Sequence, residues 1–383
     1  KSLEGTNGLG GSFVLHGTGT SKIPEFQWRK SSERMTFIEL ENVVEVVQLL
    51  ASSSLYFESN SNVVLITFDN LLIKKGSSLR CVNDGCILAI ANNFKLDGEF
   101  SCTGTTCSIA AGGDIHIAGQ LSTTSSMFTM QATDLVLSHS RTGSISDGFE
   151  DFYGTIAGRN IHIQATNITL ANGAWIQTDG LGTSTVGKGC GQLSSDYQSQ
   201  YGASHGGKGG LGRSSCTTSQ ATYGNPNGPT TSGSSAGGTA GGGVIRLEVS
   251  DTLSMVGSSR ISSDGNDATS GRGGGSGGSV WITATTLKVE ENSLISAAGG
   301  AGSNGKSALN AWISGGGGGG RMLLEVGSVQ TGTTVGVFSP QISVDGGNKG
   351  NNPGNPTDWR THNWRKSLEG TNGLGGSFVL HGT

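Results

Sequence analysis

Residues 275–300 read "GSGGSVWITATTLKVEENSLISAAGG", and the spacing of their apolar positions decides the fold. Val280, Ile282 and Ala284 alternate with Trp281 and Thr283, so an extended strand here has one apolar face. After a short bend Leu287 and Val289 repeat the alternation, and Ile295 follows. Counted from Val280 as zero, the apolar slots are 0, 2, 4, 7, 9 and 15. A helix would place them at three- and four-residue spacings, and no helical periodicity of useful length occurs in the chain.

The same order returns elsewhere. "AGGGVIRLEVSDTLSMVGSSRISSDG" (240–265) carries Ile245, Leu247 and Val249, then Leu253 and Met255 one residue late, then Ile261. "AGRNIHIQATNITLANGAWIQTDG" (157–180) carries Ile161, Ile163, Ala165, Ile168, Leu170 and Ile176. "GGGGRMLLEVGSVQTGTTVGVF" (317–338) carries Met322, Leu324 and Val326. The opposite face holds His162, Arg246, Trp281 and Leu323, and Asp-Gly pairs at Asp179-Gly180 and Asp264-Gly265 turn the chain. In the N-terminal half Val64, Ile66, Phe68, Leu71, Ile73 and Leu79 fit every slot. Ile87, Ala89, Ala91, Phe94 and Leu96 fit 23 residues later, and Phe128, Met130, Ala132, Leu135 and Leu137 fit again. "FIELENVVEVVQLLASS" (37–53) reads as either a capping helix or a strand, and its Val-rich centre favours strand.

Short strands recurring in one unchanging order predict an all-β fold, a parallel β-solenoid with Gly-rich loops. Its rungs stack about 4.8 Å apart, and each contacts only its neighbours. With this template the chain from Val43 to Val344 resembles the right-handed parallel β-helices, the pectin-lyase-like superfamily. The Gly-rich pieces "GGGSGGSVWI" and "GGGGGGRMLLEV" are similar in style to giant extracellular filament proteins such as the shaft proteins of flagellar hairs (mastigonemes). Three Gly runs, Gly237–Gly243, Gly271–Gly278 and Gly315–Gly320, each precede a strand. They are expected to stack on one another as extended ladders, where the missing Cβ lets backbones approach.

Composition narrows the function. Of 383 residues only 14 % are charged, the net charge is −4, and no Lys/Arg run occurs, which argues against nucleic acid as a partner. No apolar run is long enough to span a bilayer. The 67 glycines lack the strict period of collagen. Six cysteines, Cys81, Cys86, Cys102, Cys107, Cys190 and Cys216, lack the C-x2-C and His spacing of a zinc site and read as disulfides in an oxidising compartment. Turn-like intervening residues favour the local pairs Cys81–Cys86 and Cys102–Cys107. The 21-residue offset leaves Cys81–Cys102 and Cys86–Cys107 open as the alternative. Cys190–Cys216 would close a Gly/Ser-rich excursion, 181–243, in which Tyr197, Tyr201 and Tyr223 face a fibre neighbour, a sugar or the solenoid flank. Asn167-Ile168-Thr169 is an N-glycosylation acceptor pattern.

The stretch "KSLEGTNGLGGSFVLHGT" occurs twice, at Lys1–Thr18 and Lys366–Thr383. The shift, 366 − 1 = 365 residues, reads most simply as a tandem period, with 1–365 as one unit and 366–383 as the start of the next; an engineered overlap and a register that wraps around a continuous filament are the rival readings. A chain with neither an initiator Met nor a signal peptide is expected to belong to something longer. Phe13 and Leu15, and their copies Phe378 and Leu380, then form an assembly joint with the preceding unit.

The superfamily resemblance implies an enzyme only where carboxylates cluster on an outer face. The candidates Asp147, Asp179, Asp264 and Asp345 sit in or near Asp-Gly turns, which explain them without catalysis. His116 and His162 are expected outward, solvated and unpaired with a base. No nucleophile-elbow or zinc-protease motif occurs. The expected function is therefore a non-enzymatic structural subunit of a secreted, glycosylated cell-surface filament. It needs no cofactor, and its partners are copies of itself and glycans. The rival is a carbohydrate-binding or polysaccharide-degrading surface protein.

Overall fold

The computed structural model describes residues 47–49, 54–58, 63–82, 85–144, 148–182, 201–211, 221–269, 271–290, 292–303, 314–331, 341–349 and 375–382. Phe13, Leu15, Asp147, Cys190, Tyr197 and Cys216 lie outside the described residues, as does most of 37–53. The described chain is all-β, without helices. It divides into two compact units. One holds the described residues up to Ala157 together with Ile163–Ala174, and the other holds Gly158–His162 and the described residues from Trp175 onward.

In the first unit the strands come in passes. β1 (Val47–Leu49) and β2 (Ser54–Glu58) precede β3 (Val63–Phe68), β4 (Leu71–Ile73) and β5 (Ser78–Val82). The next pass is β6 (Gly85–Ile90), β7 (Phe94–Leu96) and β8 (Glu99–Thr103), and the next β9 (Thr106–Ala111), β10 (Ile115–Ile117) and β11 (Gln120–Thr123). β12 (Met127–Leu137) merges the first two positions of its pass, and β15 (Thr155–Ala157) takes the third. Between them an antiparallel hairpin, β13 (His139–Ser144) and β14 (Gly148–Tyr153), is inserted. Every other pairing is parallel and joins a strand to its equivalent one pass away: β3–β6–β9–β12, β1–β4–β7–β10–β12 and β2–β5–β8–β11–β15.

Register makes the apolar columns continuous. Val64 pairs with Cys86, Cys86 with Cys107, and Cys107 with Phe128, so the pass is 21 or 22 residues long rather than 23. This corrects the expected inward set in β6. Cys86, Leu88 and Ile90 are buried, whereas Ile87 and Ala89 are only half-buried and Ala91 is exposed. The cause is Cys86, which reaches inward to its partner Cys81 and sets the parity of the strand. Outside this strand the template residues from Phe68 to Val326 are buried.

β16 (Asn160–Leu170) is divided between the units, and Ile161, Ile163, Ala165, Ile168 and Leu170 are all buried. The second unit continues with β17 (Trp175–Gln177), β18 (Val244–Met255), β19 (Arg260–Ser262), β20 (Ser279–Val289), β21 (Leu294–Ser296), β22 (Arg321–Thr331), β23 (Gln341–Ser343) and β24 (Ser377–Gly382). They form two parallel ladders, β18–β20–β22–β24 and β17–β19–β21–β23. One column runs Ile245, Val280, Met322, Phe378 and the next Leu247, Ile282, Leu324, Leu380. On the other face Arg246 and Trp281 are half-buried as outward residues should be, but Leu323 is fully buried. It pairs in register with Trp281 on one side and Val379 on the other, so its neighbours are apolar.

Candidate assembly site

The glycine runs of the second unit do more than stack as flat ladders. From Gly274 the backbone N–H groups donate in turn to Gly315, Asn266 and Ser234, and then to Gly318, Ser263 and Gly243, at 2.7–3.2 Å. The donors thus return to the same neighbouring segment every third residue. A β-strand would alternate between two neighbours. A three-residue repeat is the geometry of a polyproline-II-type helix. Gly317 and Gly320 likewise donate to Gly300 and Ala297 of one segment, while Gly318 donates to Ala203 of another. The described parts of the 181–243 excursion therefore belong to this bundle. Glycine is required because a Cβ on Gly274 would overlap the carbonyl oxygen of Gly300, and one on Gly317 that of Gly275.

A polar cluster ties the bundle to β24. Arg321, the first residue of β22, donates from Nε to the carbonyl of Tyr223 at 2.7 Å and from Nη1 to Ser377 Oγ at 2.8 Å. Tyr223 donates its N–H to the carbonyl of His205 and its hydroxyl to the carbonyl of Ser232, and its ring lies 4.7 Å from that of His205. His205 is fully buried. Its Nδ1 lies 2.8 Å from the Gly277 carbonyl, which can only accept, so Nδ1 carries the hydrogen. Nε2 is then bare and accepts from the Thr231 hydroxyl at 2.8 Å. Burial holds the His205 pKa down at about 4; the bond to Gly277 opposes this shift and the Arg321 charge adds to it. Burial pushes the Tyr223 hydroxyl up to about 12.

Sequence reasoning did not single out His205, Arg321 or Ser377. The signal was present in "ASHGGKGGLG" (203–212), where a histidine is set among residues too small to shield it from close backbones.

The aspartates act along the stack. Asp179 Oδ1 accepts the N–H of Asp264 at 2.7 Å, and Asp264 Oδ1 accepts the N–H of Ala298 at 2.7 Å, each reaching one pass onward. Ser262 donates to Asp179, Ser296 to Asp264 and Ser343 to Asp345. Arg260 pairs with Asp264 at 2.6 Å. Burial, then the neighbouring Asp264 charge, raises the pKa of Asp179. In the first unit asparagines do the same work: Asn70 Oδ1 accepts the N–H of Asn93, and Asn93 Oδ1 that of Asp114.

Both outward histidines are half-buried rather than solvated, and His162 meets a carboxylate, contrary to expectation. His116 Nε2 lies 2.7 Å from Ser138 Oγ, and His162 Nε2 lies 3.1 Å from Glu248. Burial lowers the His116 pKa, with Lys95 adding to it. The Ser138–His116 pair has no carboxylate bonded to the second ring nitrogen among the described residues, so nothing orients it as a nucleophile and base. Glu248 also meets Arg246, which lies 4.3 Å above the Trp281 ring, and Trp281 Nε1 donates to Glu325 at 2.8 Å. Among the described residues no group of three metal-ligating side chains occurs.

Cys81 pairs with Cys86, and Cys102 with Cys107, at Cα separations of 6.2 and 6.3 Å. Cys81 also lies in register with Cys102, and Cys86 with Cys107, which stacks the two pairs in the core. Pairs at disulfide distance are compatible with an extracellular protein. Asn167 is half-buried, and its Nδ2 donates to Asp134 at 2.9 Å. No helix among the described residues is long and apolar enough to cross a membrane. Comparison with protein-family models, curated proteins and solved structures finds no match to this chain.

Proposed function

We propose that the chain is a structural subunit of an extracellular filament, a right-handed parallel β-solenoid whose 365-residue units stack end to end in the manner of the flagellar-hair shaft proteins. The observation that carries this reading is β24. It comes from the stretch that also begins the chain, and it adds to the β22 ladder in parallel register, Met322 to Phe378 and Leu324 to Leu380. Just before it, Gly376 donates to the Val344 carbonyl, while the strand itself pairs with β22.

The acid groups support a structural role. Asp179 and Asp264 use their oxygens on the backbone and serines of the next pass, which leaves them poorly placed to act on a substrate. The rival carbohydrate-active reading rests on the outward row Arg246, Glu248, Trp281 and Glu325. These groups engage one another, and the stacked Arg246 occupies a Trp281 face that a sugar would need. A glycan on Asn167 requires its amide to leave Asp134.

Immunogold labelling with an antibody to this chain tests the proposal. Label spaced along extracellular filaments supports it; label confined to the cytoplasm, or a solely monomeric secreted product, contradicts it.

A further inference from the structure

Four cysteines form a closed set in the core of the first unit. Cys81 pairs with Cys86 and Cys102 with Cys107, at Cα separations of 6.2 and 6.3 Å. The strands that carry them give each sulfur a second neighbour. Cys81 on β5 lies in parallel register with Cys102 on β8, and Cys86 on β6 with Cys107 on β9. Register partners on adjacent strands are about 4.8 Å apart, and a disulfide accepts Cα separations of roughly 4.4–6.8 Å. Links within a pass and links between passes are therefore both within reach. The diagonals, Cys81 to Cys107 and Cys86 to Cys102, span roughly 8 Å and are not. All four side chains are buried, so a thiolate formed among them meets a neighbouring sulfur before any bulk thiol. The turn between Cys102 and Cys107 is the way in, because Thr103, Thr105 and Thr106 are exposed.

We infer that these cysteines are an exchangeable disulfide ladder, in which opening one link with a thiol reductant lets the surviving link migrate from within a pass to between two passes. The reductant is a dithiol, which gives two electrons and two protons to Cys102–Cys107 and leaves as its own cyclic disulfide. The Cys107 thiolate then attacks Cys86 Sγ, in register with it. The Cys86–Cys107 bond forms, the Cys81–Cys86 bond breaks, and Cys81 departs as a thiolate that takes up the proton Cys107 lost. Attack of Cys102 on Cys81 is the equivalent route to Cys81–Cys102. Migration changes what the link holds. A local link joins residues 5 apart, whereas a migrated one joins residues 107 − 86 = 21 apart and ties β6 to β9. With one link reduced, the first unit thus gains a covalent tie between neighbouring passes. This inference does not depend on the filament reading.

The test is a time course in which the folded full chain meets limiting dithiothreitol at mildly alkaline pH, is quenched with N-ethylmaleimide and is mapped by non-reducing proteolysis and mass spectrometry. In the fraction that keeps one link among these four cysteines, Cys86–Cys107 and Cys81–Cys102 should appear and should exceed the diagonal links at least about tenfold. Once the first link is open, their rate of appearance should not depend on dithiothreitol concentration. The same treatment in urea should yield diagonal links as well. A Cys81→Ser variant gives a second readout without reductant. Cys86 is then a thiol beside the intact Cys102–Cys107 link, and mapping should find Cys86–Cys107 with Cys102 free in a comparable share of molecules. Should that variant misfold, the wild-type time course alone decides. Single-link species restricted to Cys81–Cys86 and Cys102–Cys107 at all times overturn the inference. So do diagonal links as abundant as in-register ones in the folded chain.

Discussion

At the scale of single residues, His205 sets an acid limit on the second unit. Its folded pKa is held at about 4, below the ordinary 6.5, so the unfolded chain binds the extra proton first. Stability contributed by the neutral ring is whole above pH ~6.5 and is lost as the pH falls towards ~4, by up to about 3 kcal/mol. Denaturant melts across this range should show the loss. His205→Gln should flatten the profile, and a wild-type profile already flat between these values would refute the account. Glycine makes a second residue-scale prediction. Gly274→Ala drives a Cβ into the Gly300 carbonyl and should cost about 1–3 kcal/mol or more. Gly228→Ala meets only the Asn225 amide at 3.5 Å and should leave the melting temperature almost unchanged. Equal effects would mean that the bundle is not close-packed.

At the scale of elements, the alternation along β16, β18, β20 and β22 was legible because the inward face is apolar in every pass and the period of two is strict. The parity of β6 was not legible. Ile87, Ala89 and Ala91 look as apolar as Cys86, Leu88 and Ile90, and only the pairing of Cys81 with Cys86 distinguishes them. The glycine bundle was half legible: the runs announced close approach, but a three-direction network depends on segments far apart in the chain, which no local pattern encodes. His205 and Arg321 were hidden for the same reason. The cysteines give an element-scale prediction. Non-reducing peptide mapping should recover Cys81 linked to Cys86 and Cys102 to Cys107, whereas a Cys81–Cys102 link would mean that the passes are stapled to one another. By loop entropy each short link contributes about 2 kcal/mol, so reduction should lower the stability of the first unit.

At the scale of the whole molecule, the central claim is that passes of parallel strands stack along a filament axis and that 365-residue units join through β24. Each pass advances the stack by about 4.8 Å. If about a dozen passes make one unit, the filament has an axial period of roughly 50–80 Å. If units join there, burial of Phe378 and Leu380 would stabilise each joint at about 25 cal/mol per Å² of apolar area removed from water. The most direct measurement is helical reconstruction of filaments by electron cryo-microscopy, with the inter-strand spacing and the axial period read from the same images. The account predicts strands perpendicular to the axis, a spacing of about 4.8 Å along it, and one copy of the Phe378 strand per axial period. Strands running along the axis, or a period unrelated to one 365-residue unit, would contradict it.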